Sequence, residues 1–111
     1  MANVQALLAV LADPTRRTLV DALRHGPLTV GELADRVPVS RSAVSQHLQV
    51  LRSAEVVEHE AAGTRRHYRL RSATLGELRD YLDGLWSDAL AGFAEHAQGT
   101  AKQRRKPRRK P

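Results

Sequence analysis

The stretch that decides the fold runs from Thr29 to Leu70 and reads TVGELADRVPVSRSAVSQHLQVLRSAEVVEHEAAGTRRHYRL. It opens with Thr29 and Glu32, whose spacing forms a capping box and predicts the start of a helix. Pro38 disfavours helical geometry at the residue before it, so this helix must be short. The stretch therefore begins with one brief helix that ends in a tight turn.

A second helix is predicted directly after the turn at Pro38. Ser40 suits the N-cap of that helix, because a serine side chain can accept a hydrogen bond from a free N–H of the first turn. Apolar residues then recur at positions i, i+4 and i+7, which are Val44, Leu48 and Leu51. Two short helices joined by a tight turn predict a helix-turn-helix.

A β-hairpin is predicted after the second helix, because the apolar period changes there from 3.6 to 2. Gly63 lies between the two alternating segments and can adopt a positive φ. A loop that is symmetric about residues 62 and 63 would place Val57 opposite Tyr68 and Glu60 opposite Arg65. In that register the apolar side chains of the hairpin face inward and its basic side chains face outward.

Helices are also predicted on both sides of this stretch. Apolar residues at helical spacing within residues 4–11 indicate a first helix, and Asp13-Pro14 is typical of the N-terminus of another. Thr74 and Glu77 form a second capping box, from which the longest helix should run to about residue 96 and end at Gly99. The predicted fold class is mainly α with a small β-hairpin: about five helices and a two-stranded wing.

Composition limits the functions that are open to the chain. Its 111 residues suffice for one domain, and aromatic residues make up only 4%, which favours a helical core of Leu, Val and Ala. The absence of cysteine excludes disulfides, thiolate metal ligands and thiol chemistry. Neither a secretory signal nor an apolar stretch of about 18 residues is visible, so we expect a cytoplasmic protein with no membrane partner.

Charge divides the chain into two parts. The net charge is +6, but seven Lys and Arg residues lie between Lys102 and Lys110, and +6 minus 7 leaves about −1 for residues 1–101. The segment from Lys102 onward has no apolar residue apart from proline, which predicts disorder. We therefore expect one folded domain at residues 1–97, to which the DNA-binding and dimerisation surfaces argued below belong, and a disordered basic tail at residues 98–111.

The stretch from Thr29 to Leu70, together with LADPTRRTLVDAL at residues 11–23, resembles the ArsR family of winged-helix repressors. The recognition-helix signature is carried by VSQHL at residues 44–48, with Ser42 before it and Leu51 after it. The resemblance covers residues 4 to 93. It implies a dimer built from the first and last helices, a recognition helix that enters the major groove, and a hairpin wing beside it.

The chain departs from this family in two places. Family members often have glycine after the recognition helix, where this chain has Glu55, so no left-handed backbone is expected there. The best-known members sense metals through cysteines or through Asp and His sets on the last helix. This chain has no cysteine, and the acids and His96 of its last helix do not match that spacing. We therefore predict no metal site and no cofactor.

The DNA-binding residues are predicted from the face that the recognition helix exposes. On a helical wheel, the side opposite Val44 and Leu48 carries uncharged polar residues, which suit base edges and phosphates. Arg41 lies in the first turn, while Arg65 and Arg66 lie near the wing tip and suit phosphates or the minor groove. The predicted DNA-binding residues are Arg41, Ser42, Ser45, Gln46, Gln49, Arg65 and Arg66.

Each of these interpretations has a plainer alternative. The polar face could be an ordinary soluble surface, although such a face usually carries Glu and Lys, which are absent from residues 40–49. The wing arginines could instead pair across the strands with Glu58 and Glu60. His47, at the flank of the apolar stripe, is predicted to be a hydrogen-bonded residue at the edge of the core rather than a base contact or a ligand.

The last helix carries more apolar surface than so small a domain should need. An isologous dimer interface with the first helix would bury it, whereas the alternative is packing within one chain. The predicted interface residues are Leu7, Leu8, Leu11, Leu78, Leu82, Leu85, Trp86 and Phe93.

These observations predict a transcriptional regulator that binds specific double-stranded DNA, as a dimeric repressor on an inverted-repeat operator. The alternatives are a nonspecific nucleoid-type DNA binder driven by the basic tail, a ligand-gated sensor of the same fold, and a winged helix that binds another protein. No catalytic residues are predicted, because no nucleophile and base, phosphate loop or paired buried carboxylates are visible. The operator, the regulated genes, any small-molecule effector and the choice between repression and activation stay open.

Overall fold

The computed structural model describes residues 3–103, and it describes side-chain surroundings for residues 3–97. Compact packing divides the chain after Leu78. The first unit contains four helices, a 3₁₀ turn, three strands and the start of a fifth helix. In chain order the elements are α1 (Val4–Leu11), α2 (Pro14–Ala22), the 3₁₀ turn (Leu23–His25), β1 (Leu28–Thr29), α3 (Val30–Ala34), α4 (Arg41–Ser53), β2 (Val57–Ala62), β3 (Arg65–Leu70) and α5 (Ser72–Gln103).

The short helices begin where polar side chains cap them, as the sequence predicts. Asp13 accepts a hydrogen bond from the backbone N–H of Arg16 at 3.0 Å, directly before Pro14. Thr29 and Glu32 form a complete capping box, and the Ser40 hydroxyl accepts from the N–H of Ala43 at 3.0 Å. These caps satisfy N–H groups that a helix leaves free, and they fix the places where α2, α3 and α4 begin.

The end of α4 corrects one expectation. Glu55 has a φ of 62°, so the backbone is left-handed there although the residue is not glycine. The N–H of Glu55 donates to the carbonyl of Arg52, and the N–H of Val56 donates to the carbonyl of Leu51, both at 2.9 Å. This is a Schellman motif, and the buried pair of Leu51 and Val56 accompanies it. The geometry of the chain reversal, rather than the residue type, decides the backbone conformation.

The sheet has three strands rather than the expected two. The short strand β1 pairs with β3, which gives the antiparallel order β1-β3-β2. The predicted register is also wrong, since Val57 lies opposite Leu70 and Ala62 lies opposite Arg65. Gly63, with a φ of 66°, is the first residue of a two-residue loop rather than the second. The partner of each residue therefore moves by two positions, which leaves the inward and outward faces as predicted.

The core lies among α1 to α4 and the inner face of the sheet. It is formed by buried aliphatic residues and one tyrosine, which are Leu7, Leu19, Leu23, Leu33, Val44, Leu48, Leu51, Val56, Val57 and Tyr68. The three apolar residues of the recognition helix belong to this set, so the face of α4 that points away from the core is fixed. The predicted mainly α winged helix-turn-helix with five helices is confirmed.

Both ends of α5 differ from the expectation. The helix begins at Ser72, two residues before the predicted capping residue Thr74. Thr74 is therefore buried inside the first turn of the helix. Gly99 does not end the helix, which continues to Gln103. A glycine inside a helix costs only about 1 kcal/mol, which neighbouring residues that favour helix can offset. The predicted disordered tail thus begins within this helix, and its remainder, residues 104–111, lies outside the described residues.

Candidate nucleic-acid interface

The recognition helix α4 presents an uncharged polar face to solvent. Its buried residues are Val44, Leu48 and Leu51, and all of the polar residues predicted to contact bases are exposed. These are Ser42, Ser45, Gln46 and Gln49. A glutamine side chain can bond adenine with both its oxygen and its nitrogen, and serine can bond a base or a phosphate. The exposed face of α4 is therefore suited to reading the major groove.

Arg41, at the start of α4, reaches back toward α3. Its guanidinium occupies the space that a side chain at Gly31 would fill, so this close approach depends on glycine. A cleft of about 880 Å³ lies here, bounded by the start of α3, by Arg41 and by the loop and first residues of β3. Arg65 and Arg66 also line this cleft. We call this space the arginine cleft, because it brings together the three arginines predicted to contact DNA.

The charges of the wing are divided between pairing and exposure. Arg69 donates to Glu58 at 2.8 Å and to Glu60 at 2.7 Å, and these carboxylates raise the pKa of Arg69. Within residues 3–97, Arg65 and Arg66 form no salt bridge. Cross-strand pairing, the plainer alternative for the wing, therefore holds for Arg69, while the two arginines at the tip keep their charge for another partner.

Two further basic residues, His59 and Arg52, lie near the wing and were not predicted from the sequence. His59 of β2 lies edge-on to the ring of Tyr68, with ring centroids 5.1 Å apart. Burial, followed by the charges of Arg52 and Arg66, lowers the pKa of His59. Arg52, in the last turn of α4, thus lies close enough to β2 for its charge to act on His59. The predicted register does not place His59 opposite Tyr68, so this pair of rings could be found only from the observed register.

Comparison with known proteins gives the same fold and identifies the family. Residues 11–60 match a helix-turn-helix domain. The chain is 56% identical over 85 residues to the HTH-type transcriptional regulator Rv2034 of Mycobacterium tuberculosis, covering 77% of this chain and 79% of that protein. A solved ArsR-like transcriptional regulator from Rhodococcus sp. RHA1 superposes with a TM-score of 0.75 at 28% identity, over 86% of this chain and 90% of the other. The chain belongs to the ArsR family of winged-helix transcriptional regulators.

A further relative supports this assignment. The transcriptional repressor SdpR of Bacillus subtilis is 35% identical over 65 residues, which cover 59% of this chain and 72% of SdpR. The resemblance predicted from the sequence is confirmed, and the family is one of regulators rather than enzymes.

In this ArsR-family chain, two of the residues predicted to form a dimer interface have another role. Leu7 is only 1% exposed and belongs to the core of its own chain, while Leu78 is half-buried against that core. Because Leu7 is buried inside its own chain, it has no exposed surface that a second copy could contact. Leu11 is half-buried, and Leu8 is well exposed.

The exposed apolar surface of α5 is larger than the sequence analysis proposed. Leu82, Leu85, Trp86 and Phe93 are joined by Tyr81 and Leu90, which lie at the two edges of the same helical face. These six residues form what we call the α5 apolar stripe: Tyr81, Leu82, Leu85, Trp86, Leu90 and Phe93. Trp86 and Phe93 are 66% and 69% exposed in the single chain.

Residues 3–103 contain neither a metal-binding cluster nor a membrane-spanning helix. Among these residues, no three His, Cys, Asp or Glu side chains come close enough to hold a metal ion. The prediction that the regulator needs no metal or cofactor stays a prediction. No helix among the same residues is both long and apolar enough to cross a membrane.

Proposed function

We propose that this regulator binds a specific double-stranded DNA sequence as a homodimer and represses transcription from the promoter it occupies. The observation that carries the proposal is the exposed uncharged polar face of α4 beside the arginine cleft. Base-reading groups and phosphate-binding groups thus lie on adjacent surfaces, which is the arrangement that sequence-specific binding needs. The protein would act in the cytoplasm, on the chromosome.

The polar face supplies specificity in this proposal, and the arginines supply affinity. Gln46 bonds adenine in the major groove, while Ser42, Ser45 and Gln49 bond nearby bases or phosphates. Arg41, Arg65 and Arg66 neutralise phosphates or enter the minor groove, and their binding releases counterions. Dependence on salt should therefore come from the arginine cleft rather than from the polar face.

The α5 apolar stripe supports the homodimer. Soluble monomers rarely expose one large apolar patch, and six large apolar side chains on one helical face of this chain are 44% to 69% exposed. In the proposed dimer a second copy covers this stripe, and Leu8 of α1 also contacts a second copy. A two-fold dimer would present two recognition helices about 34–36 Å apart and would read an inverted repeat.

The test is selection of duplex DNA from a random pool at about 150 mM salt, because phosphate-driven affinity depends steeply on salt. The full chain and a chain without residues 102–111 are compared. The expected result is one palindromic motif from both proteins.

Two other outcomes would contradict the proposal. Binding without a motif, lost on removal of the basic segment, would favour the nonspecific nucleoid-type binder, for which the seven positive charges between Lys102 and Lys110 are the supporting observation. A motif without two-fold symmetry would refute the homodimer while keeping specific recognition.

A further inference from the structure

One arginine of α2 connects α1 to the recognition helix. Arg16 is half-buried, and its Nε donates to the carbonyl oxygen of Val10 in the last turn of α1 at 2.8 Å. Its Nη1 lies 3.4 Å from Nδ1 of His47, on α4. An arginine can only donate, so Nδ1 of His47 is the acceptor in this hydrogen bond. A single planar guanidinium therefore contacts the end of one helix and the middle of another.

The backbone of Arg16 is held in place as well. Its N–H donates to the carboxylate of Asp13, the N-cap of α2, and this hydrogen bond is the largest cause of the lowered pKa of Asp13. The side chain thus extends from a capped, fixed helix start rather than from a loose loop. A link that is anchored at its base can restrict the orientation of the helix it reaches.

The other end of the link lies beside the reading face. His47 directly follows Gln46 and is half-buried, at the flank of α4 that contacts Arg16 of α2. The apolar residues of α4 already fix which face is buried. Packing of aliphatic side chains is not directional, whereas a hydrogen bond has a preferred distance and angle, so the link adds an angular restraint that the core does not.

We propose that Arg16 is a positioning residue, which holds the recognition helix at a set orientation to α1 and thereby selects the spacing between the two half-sites. The proposal rests on the dimeric DNA binding proposed above, in which α1 belongs to the dimer surface. Each added base pair moves a half-site along the duplex by about 3.4 Å and rotates it, so a small change in helix orientation changes the spacing that fits best.

The chain offers a matched control in the next residue. Arg17 also reaches the end of α1, where its Nη1 donates to the carbonyls of Leu11 and Ala12 at 2.9 and 3.0 Å. Among the described residues it makes no hydrogen bond to α4. Arg17→Met therefore removes the same kind of contact to α1 as Arg16→Met, but leaves the link to the recognition helix intact.

The experiment measures binding of the full chain to a series of duplexes with the selected half-sites at the best spacing and at one or two base pairs more or less. For Arg16→Met we expect about tenfold weaker binding at the best spacing, comparable to the loss of one charged hydrogen bond, and a flattened preference among spacings. His47→Phe should give the same profile, while His47→Gln, which keeps an acceptor, should restore it. Arg17→Met should follow the parent.

Three outcomes would overturn the proposal. An unchanged spacing profile in both Arg16→Met and His47→Phe would leave Arg16 a stabilising residue only. A smaller salt dependence in Arg16→Met would make it a phosphate contact. If the unmodified protein shows no spacing preference, the dimeric function itself is refuted. This outcome is measured without any variant, so it is distinct from the other two. If Arg16→Met does not fold, as judged by its melting curve, the His47 pair decides the question.

Discussion

Replacing Glu55 by glycine should stabilise the domain relative to replacing it by alanine. Glu55 occupies the left-handed position of the Schellman motif, with a φ of 62°. That conformation costs a residue with a β-carbon about 1–2 kcal/mol. Glycine avoids the cost but loses about 0.4–1 kcal/mol through the greater entropy of the unfolded chain, so Glu55→Gly should be about 0.5–1 kcal/mol more stable than Glu55→Ala.

The comparison between the two variants isolates the backbone. Both remove the same long ion pair, in which Arg71 and Glu55 are 3.7 Å apart and both well exposed, so its small contribution cancels. Thermal unfolding followed by circular dichroism measures the effect. A difference of about 0.5–1 kcal/mol corresponds to a melting temperature roughly 2–8 °C higher for Glu55→Gly.

Ala54→Gly provides the control one residue earlier. Ala54 has a φ of −88°, where no left-handed strain exists, so glycine there should only destabilise, by about 0.5–1 kcal/mol. Equal melting temperatures for Glu55→Gly and Glu55→Ala would refute the reasoning. So would a loss in Glu55→Gly as large as that in Ala54→Gly, because residue 55 would then not be left-handed in solution.

Four further predictions concern binding, assembly and pH. Gln46→Ala should lose about 1–3 kcal/mol of discrimination at one base pair, measured by competition between duplexes that differ there, and unchanged selectivity would exclude it from base reading. Arg66→Ala should weaken binding to every sequence and lower the slope of log affinity against log salt by about 1, whereas Arg69→Ala, whose parent side chain is already paired, should leave the slope unchanged. Trp86→Glu should convert the dimer into a monomer in analytical ultracentrifugation, and a persistent dimer would place the interface elsewhere. Burial and nearby arginines lower the pKa of His59, so the unfolded chain binds its proton more tightly. The free energy of unfolding should therefore fall as the pH drops below about 6.5, until the pH passes the folded-state pKa, and urea titrations of His59→Asn should show a weaker fall.

The parts of the fold that depend on local chemistry could be predicted from the sequence. The caps at Asp13, Thr29 and Ser40 act within three residues of themselves, and the apolar spacing of Val44 and Leu48 fixes the buried face of α4. The exposed reading face follows from that buried face. The caps and the buried face are confirmed because they need no information about distant parts of the chain, while the reading of bases by the exposed face stays a prediction.

The parts that were missed depend on contacts distant in sequence or on backbone geometry. The two-residue strand at Leu28 has no period of its own and exists because β3 is there to pair with it. The link from Arg16 to His47 joins residues 31 positions apart. The left-handed Glu55 follows from the direction in which the chain must turn, which residue identity did not reveal.

Thr29 has two structural roles. It is the N-cap of α3, and it is also the strand residue that pairs with His67 in the middle of the wing hairpin. The hairpin and the helix-turn-helix therefore share a residue and cannot be exchanged as separate modules. A chimaera that receives the wing of another family member should keep its own strand pairing only if residues 28 and 29 are transplanted with it. Insertions that alter the reach of the wing should be tolerated best at Gly63 and Thr64, the two loop residues that lie between the paired strands.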